Sequence, residues 1–177
     1  KRAPESVDLG TDVVVIGAGN TAMDVARAAK RVSGVQNVRL VYRRTKRYMP
    51  ADEEELQMAI DDGVEFMELL APGDLANNQL TCEVMKLGAP DESGRRRPEG
   101  TGEFVTVPAT AVITAVGEQI EPDLYATSGI ACDEKGLPVV DNNLQTSLAH
   151  VYAVGDGRRG PATVVKGIAD AMMVAVA

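Results

Sequence analysis

Apolar and polar positions in the first part of the chain follow two successive periods. Residues 13–16 form an unbroken β-branched run, which is typical of a short strand buried on both faces of a parallel sheet. The run leads directly into Gly17-x-Gly19-x-x-Ala22. Apolar residues then recur at helical spacing with charged residues between them, at Ala22, Val25, Ala26, Ala29 and Val32. The pattern predicts a strand, a tight glycine turn and an amphipathic helix.

Further along, the pattern predicts two more strands with a second helix between them. Residues 37–42 and 64–70 carry the apolar positions of these strands. The helix starts at Asp52, which has the spacing of a capping box with Glu55, and it ends at Gly63. Alternating strands and helices favour a parallel sheet with right-handed crossovers. We expect the acidic residues at this helix start to be structural.

The pattern changes after residue 79 to two strand-like stretches, residues 80–87 and 103–107. Residues 88–102 between them are rich in glycine, proline and charge, so we expect an antiparallel meander with a long exposed tip. The three arginines at 95–97 would be solvated at that tip. A buried strand over residues 111–116 then returns the chain to the parallel sheet.

Composition supports an α/β protein and argues against some partners. Among 177 residues, 45% are hydrophobic but only 3% are aromatic, so the core is aliphatic, as a parallel sheet prefers. The formal charge of −8 and the absence of basic residues interleaved with aromatics argue against nucleic acid. Cys82 and Cys132 lie too far apart for a C-x-x-C pair, and we expect both to be reduced and buried.

Two features concern the setting of the chain. It has neither a signal peptide nor an apolar run long enough to span a bilayer, so we expect a cytoplasmic protein without membrane contact. The sequence starts with Lys1 and stops within an apolar helical pattern, so we interpret it as part of a longer polypeptide.

The glycine turn has the residue types that a dinucleotide requires. A pyrophosphate must approach backbone N–H groups at a helix N-terminus, and a Cβ would intervene. Gly17 permits the sharp turn, Gly19 leaves room for the phosphates, and Ala22 lets the helix pack closely on the strand. We therefore predict a dinucleotide site, with a glycine turn of another α/β fold as the alternative.

The end of the second strand indicates which dinucleotide binds. An NAD-binding domain places a carboxylate there for the ribose hydroxyls, whereas this chain has Arg43 and Arg44. A guanidinium can bind phosphate oxygens in pairs, so these arginines suit the 2′-phosphate of NADPH. The alternative is a solvated basic loop.

A second constellation occupies the C-terminal part. The strand over residues 111–116 ends at Gly117, and a later apolar stretch ends at Gly155-Asp156. Gly160-Pro161 then opens a final helix.

The order of these motifs resembles the glutamate synthase small-subunit family, and also dihydropyrimidine dehydrogenase and related two-dinucleotide-binding disulfide oxidoreductase folds. The marks are Gly-Ala-Gly-Asn-Thr-Ala-Met-Asp at 17–24, Tyr-Arg-Arg at 42–44, Met-Pro-Ala at 49–51, Gln-Thr-Ser before Val-Tyr-Ala-Val-Gly-Asp, and Ala-Thr-Val-Val on the last helix. In that family an NADPH domain is inserted between two halves of an FAD domain.

The resemblance implies a set of cofactor-binding residues. Those for NADPH are Gly17, Gly19, Asn20, Thr21 and Ala22 at the pyrophosphate, with Arg43 and Arg44 at the 2′-phosphate. Those for FAD are Gly117, Gly155 and Asp156, with Ala162, Thr163 and Val164 presenting helix N-terminal amides to the flavin. It implies no catalytic side chain and no metal ligand in this chain.

The resemblance also implies a domain division. Residues 1–10 would be a linker, 11–113 an NADPH-binding Rossmann-like domain, and 114–177 the C-terminal segment of a split FAD domain. The family's first FAD fingerprint and its cysteine-rich segments are absent, so the FAD site is incomplete and iron–sulfur clusters are possible only outside this chain. The partners that the resemblance implies are the remaining polypeptide, with its N-terminal FAD half and the iron–sulfur domain that members of the family carry, and a catalytic partner subunit.

The function that follows is hydride transfer from NADPH to FAD. This step depends on placing the two rings against each other, so it needs no acid or base. His150, the only histidine, is expected to be structural. The alternative is a non-catalytic NADP(H)-binding or sensing domain, and the final electron acceptor is left open.

Overall fold

A computed structural model describes residues 7–91, 94, 96–117 and 121–176. The chain divides into two compact units, the first ending at Val116 and the second beginning at Gly117. The elements of the first unit are β1 (Asp12–Ile16), α1 (Asn20–Lys30), β2 (Asn37–Tyr42), a 3₁₀ helix (Lys46–Tyr48), α2 (Glu53–Asp61), β3 (Val64–Glu68), β4 (Leu70–Ala76), β5 (Gln79–Pro90), β6 (Arg96–Pro108) and β7 (Ala111–Thr114).

A parallel sheet forms the centre of the first unit. Its strand order in the described chain is β3-β2-β1-β7, and every neighbouring pair is parallel. This is the order of a Rossmann-like half, in which the chain returns to lie beside its first strand. The predicted α/β class with a parallel sheet is confirmed. The strand predicted at 111–116 ends at Thr114 and is half-buried rather than buried.

The antiparallel sheet differs from its prediction. It has three strands in the order β4-β5-β6, because the stretch predicted as one strand at 64–70 divides between β3 and β4. The prediction of a long exposed tip over residues 88–102 is wrong, because Met85 pairs with Gly100 and Pro90 pairs with Arg96. The Arg96 guanidinium is not solvated at a tip, because it donates to the carbonyls of Leu87 and Gly88 at 2.7 Å. Arg95 lies outside the described residues.

Side-chain alternation along β1 produces two cores. Val13 and Val15 pack with α1 and α2 on one face of the parallel sheet, whereas Val14 packs with the antiparallel sheet on the other. All three are fully buried, and each such side chain contributes about 1.5–3 kcal/mol. On α1 the buried positions are Ala22, Met23, Ala26 and Ala29, so Met23 joins the predicted stripe while Val25 is half-buried.

Two smaller expectations are also resolved. Cys82 is buried and its thiol pKa is raised by that burial, whereas Cys132 is only half-buried; both are free thiols. Part of the predicted linker is packed, because Leu9 contacts the first core and its carbonyl accepts from Thr110 Oγ1 at 2.7 Å. Residues 1–6 lie outside the described residues.

The second unit contains α3 (Pro122–Thr127), α4 (Asp156–Arg159) and α5 (Val164–Ala175). Extended segments between them meet at two isolated antiparallel bridges, Cys132 with Pro138 and Gln145 with Tyr152. Across the described parts of both units, the helices are too short or too polar to cross a membrane.

Candidate dinucleotide sites

The glycine turn between β1 and α1 forms two different environments. Gly17 is buried with φ +137°, and a Cβ there would lie 2.3 Å from the Ala115 carbonyl oxygen. Gly19 has φ −90°, and a Cβ there would meet no heavy atom within 4 Å. The first glycine is required by packing, whereas the second borders open space at the start of α1.

The N-terminus of α1 faces that space. Gly19 is the N-cap residue and makes no side-chain cap hydrogen bond; its carbonyl accepts from the N–H groups of Ala22 and Met23 at 2.9 and 3.2 Å. The first N–H groups of an α-helix have no intrahelical acceptor and carry partial positive charge. Asn20 and Thr21 are exposed there, so this surface suits an anion.

A segment between the 3₁₀ helix and α2 packs on the glycine turn. The Ala51 N–H donates to the Ala18 carbonyl at 3.0 Å, and the Asp52 N–H donates to Asn20 Oδ1 at 3.2 Å. Asn20 Nδ2 in turn lies 3.5 Å from the Asp52 carboxylate. The predicted capping box is wrong, because Asp52 makes no side-chain cap bond and pairs with Asn20 instead. Sequence spacing alone does not reveal that contact.

The arginine loop, residues 43–45, follows β2. Arg43 is exposed and Arg44 half-buried. Arg44 Nε is buried and has no hydrogen-bond partner in the described part of the chain. Buried polar atoms of this kind are rare, and a water molecule or an anion would supply the acceptor that the described residues do not. Arg43 and Arg44 thus lie at the carboxyl end of the parallel sheet, in the same unit as the glycine turn.

Two hydrogen bonds join this part of the chain to the end of β3. The Leu69 N–H donates to the Arg44 carbonyl at 3.2 Å, and the Lys46 N–H donates to Glu68 Oε1. Neither Glu68 nor Leu69 carries a sequence signal for such a role.

In the second unit, a glycine turn leads into α4. Gly155 has φ +59° and ψ −140°, a conformation that strongly favours glycine. A Cβ at Gly155 would lie 3.6 Å from the Cα of Gly167 on α5, so the turn packs closely on that helix. The Asp156 carboxylate accepts from the Ala162 N–H at 3.0 Å and thereby orients the entry to α5.

Asp170 on α5 holds the same turn. It is buried, with 3% of its surface exposed, and accepts from the Gly155 N–H at 2.9 Å. Arg158 and Arg159 on α4 both form ion pairs with this carboxylate. Two arginines thus pair with one buried acid, and these contacts between α4 and α5 could not be predicted from the sequence because they join different helices.

The remaining predicted residues surround or precede this turn. Ala162, Thr163 and Val164 are exposed at the start of α5 and line a shallow cavity of about 340 Å³ together with Gly155 and Asp156. The structure therefore brings these five predicted FAD residues together. Gly117, with φ +99°, is exposed at the beginning of the unit. His150 is an exposed turn residue with φ +62°.

These features fit two dinucleotides. Gly19 leaves a cradle that a Cβ would occupy, and Arg44 Nε offers a buried donor for a phosphate. The α5 N-terminus opens a second cavity beside Asp156. Fold and sites together define a dinucleotide-binding α/β oxidoreductase.

The chain belongs to the pyridine nucleotide-disulphide oxidoreductase family, whose model matches residues 1–171. This confirms the predicted relationship, and NADPH and FAD are the cofactors expected of that class.

Curated relatives share much of the sequence. YgfK of Escherichia coli, provisionally described as an oxidoreductase, is 48% identical over 94% of this chain and 16% of its own length. The beta subunit of the NADP(+)-dependent formate dehydrogenase of Moorella thermoacetica is 40% identical over 94% of this chain and 24% of its own length. The NADPH glutamate synthase small chain of Halomonas elongata is 37% identical over 90% of this chain and 36% of its own length.

The chain thus spans between 16% and 36% of these relatives' lengths. Among solved structures, thioredoxin reductase of T. acidophilum superposes with a TM-score of 0.75 at 23% identity, over 95% of this chain and 51% of that one. This similarity establishes the fold.

Proposed function

We propose that this chain is the NADPH-binding part of a glutamate synthase small-subunit-like flavoprotein, with the C-terminal segment of its FAD domain. The observation that carries the proposal is the buried Arg44 Nε, which has no hydrogen-bond partner among the described residues, in the same unit as the open space at Gly19. Relatives whose names include NADP(+)-dependent formate dehydrogenase and NADPH glutamate synthase support it.

The two cofactors, when bound, supply the donor and the acceptor of a hydride. The residues of the chain bind and orient them. Gly19 and the N-terminus of α1 would bind the NADPH pyrophosphate, with Asn20, Thr21 and Ala22 beside it. Arg43 and Arg44 would bind the 2′-phosphate.

The second unit would contribute to the flavin site. Asp156 would contact FAD near its ribitol and pyrophosphate, and residues 162–164 would direct the positive end of the α5 dipole at the flavin. Gly117 and Gly155 would let the backbone approach the cofactor closely. No side chain of this chain is required to donate or accept a proton.

The proposed domain boundary, between residues 113 and 114, lies near the division of the chain into compact units after Val116. The remaining polypeptide would complete the FAD site in a cytoplasmic enzyme. Iron–sulfur clusters and a catalytic partner subunit, if the protein has them, would lie outside this chain.

The first prediction tests the phosphate site. Replacing Arg43 and Arg44 with alanine should weaken NADPH binding at least about tenfold and leave NADH binding nearly unchanged, because charge-assisted bonds contribute roughly 1.5–3 kcal/mol each. Higher salt should reduce the difference between the NADPH and NADH affinities, since exposed charges are screened over roughly 8–10 Å. Calorimetry with both nucleotides measures it.

The matched control replaces Lys86 and Arg97, two exposed cations of the antiparallel sheet, with alanine. This variant has the same net charge as the variant that lacks Arg43 and Arg44. It should still bind NADPH in preference to NADH, as we expect the unmodified protein to do. Equal affinity of the unmodified protein for NADH and NADPH would contradict the NADPH assignment. In that case Arg43 and Arg44 belong to a solvated basic loop.

A further inference from the structure

The arginine loop connects β2 to the 3₁₀ helix, and hydrogen bonds from neighbouring elements fix it near both ends. At Arg44, the carbonyl accepts from the Leu69 N–H at 3.2 Å. At Lys46, the N–H donates to the Glu68 carboxylate. The 3₁₀ helix beyond is closed by the Tyr42 hydroxyl, which donates to the Tyr48 carbonyl at 2.8 Å.

The backbone conformation of Leu69 indicates that the contacts between the arginine loop and the end of β3 are well defined. It has φ +57°, which is uncommon outside glycine and costs of the order of 1–3 kcal/mol. Its N–H donates to Arg44, and its carbonyl accepts from the Met85 N–H of β5 at 2.8 Å. Both sheets of the unit therefore fix the residue that follows Glu68.

Glu68 is not placed for a simple electrostatic role. It lines a cavity with the cationic Lys46 and Arg47 and with the acidic Glu53, next to the arginine loop, to which the adjacent Leu69 is hydrogen-bonded. A negative charge there opposes the binding of a second anion through space. A benefit to phosphate binding would therefore come from geometry, because a loop already fixed in its bound conformation loses less entropy on binding.

We propose that Glu68 is a positioning residue for selectivity between NADPH and NADH, acting through its hydrogen bond to the Lys46 N–H, which holds the arginine loop in its phosphate-binding conformation. The proposal rests on the proposed function. It assigns Glu68 no contact with the nucleotide.

Two substitutions separate position from charge. Glu68→Ala removes both the charge and the acceptor, whereas Glu68→Gln removes the charge and keeps a carbonyl acceptor. We expect Glu68→Ala to weaken NADPH binding about three- to tenfold with NADH binding unchanged. We expect Glu68→Gln to bind NADPH as tightly as the unmodified protein, or more tightly.

Glu65→Ala is the matched control, because it removes a carboxylate from the same strand that pairs with Arg39 instead. Hydrogen exchange at the Lys46 amide can be measured without nucleotide. We expect the exchange rate to rise in Glu68→Ala and to stay unchanged in Glu68→Gln and Glu65→Ala.

Equal NADPH affinities in the Ala and Gln variants at position 68 would overturn the proposal, as would a threefold loss in Glu68→Gln alone. A preference for NADPH over NADH that is undiminished in Glu68→Ala overturns only the role of Glu68. If the unmodified protein binds both nucleotides equally, the phosphate site itself is wrong, and the inference fails with it.

Discussion

Gly17 and Gly19 are two positions apart, yet the structure requires glycine only at the first of them. At Gly17 a methyl group would overlap the Ala115 carbonyl, and the positive φ adds strain. At Gly19 the backbone conformation is open to any residue and the added atoms would meet only open space. The first glycine is therefore required by packing within the protein, whereas the second is the one that we propose admits the pyrophosphate.

This difference predicts opposite phenotypes. Gly17→Ala should destabilise the protein by at least about 1–3 kcal/mol, which lowers Tm by several degrees. Gly19→Val should leave Tm nearly unchanged and abolish NADPH binding, because the side chain occupies the space of the pyrophosphate. Thermal unfolding and nucleotide titration measure both. Unchanged NADPH affinity in Gly19→Val would mean that the phosphates bind elsewhere.

At the scale of elements, the starts of three parallel strands are joined by one cluster of charges. Arg39 on β2 lies 3.0 Å from the Asp12 carboxylate on β1 and 3.1 Å from the Glu65 carboxylate on β3. Asn37 Nδ2 also donates to Asp12 at 2.9 Å. The hydrogen bond from Arg39, followed by those from Thr11 and Asn37, lowers the pKa of Asp12 below its ordinary value of 3.8.

The lowered pKa of Asp12 predicts a pH dependence of stability. Because the folded pKa lies below the unfolded one, the contribution is complete above about pH 4 and is lost as pH falls through the folded pKa. Asp12→Asn should therefore be less stable near pH 7 and flatten the acid side of the stability profile. Asp74→Asn, at an exposed carboxylate of β4, is the control. Urea unfolding between pH 2 and 7 measures both, and parallel acid limbs would contradict the prediction.

At the scale of the molecule, the two sets of residues that we propose bind cofactors belong to different compact units. The glycine turn and the arginine loop lie in the first, whereas Asp156 and the start of α5 lie in the second. Each unit has its own turn and its own helix N-terminus, so a change in one need not reach the other.

Asp156→Ala should therefore weaken FAD retention in the full-length protein and change NADPH affinity less than about twofold. The substitution removes both a carboxylate at the proposed flavin site and the acceptor for the Ala162 N–H. Asp156→Asn keeps that acceptor, so it separates loss of charge from loss of the turn. Flavin absorbance per protein and NADPH titration measure the two sites. Similar losses at both would contradict the proposed division.

Several parts of this protein depend only on local periodicity and steric need, and the sequence predicts them directly. A β-branched run, two glycines and an amphipathic stripe specify β1, the turn and α1, because neighbours within a few residues decide their conformation. The position of the arginine loop follows from the end of β2, and that of the turn at Gly155 follows from the glycine itself, whose backbone conformation few other residues adopt.

Contacts between residues that are distant in sequence were visible only in the tertiary structure. The Asp52 pairing with Asn20, the fastening of the arginine loop by Glu68, and the two arginines on Asp170 join residues separated by 11 to 32 positions. The antiparallel pairing was predicted in part, but the strand β4 and the extension of β6 back to Arg96 were not, since β6 is mostly exposed and lacks a continuous apolar pattern. Contacts of this kind arise when sheets and helices pack, and no periodicity along the chain encodes them.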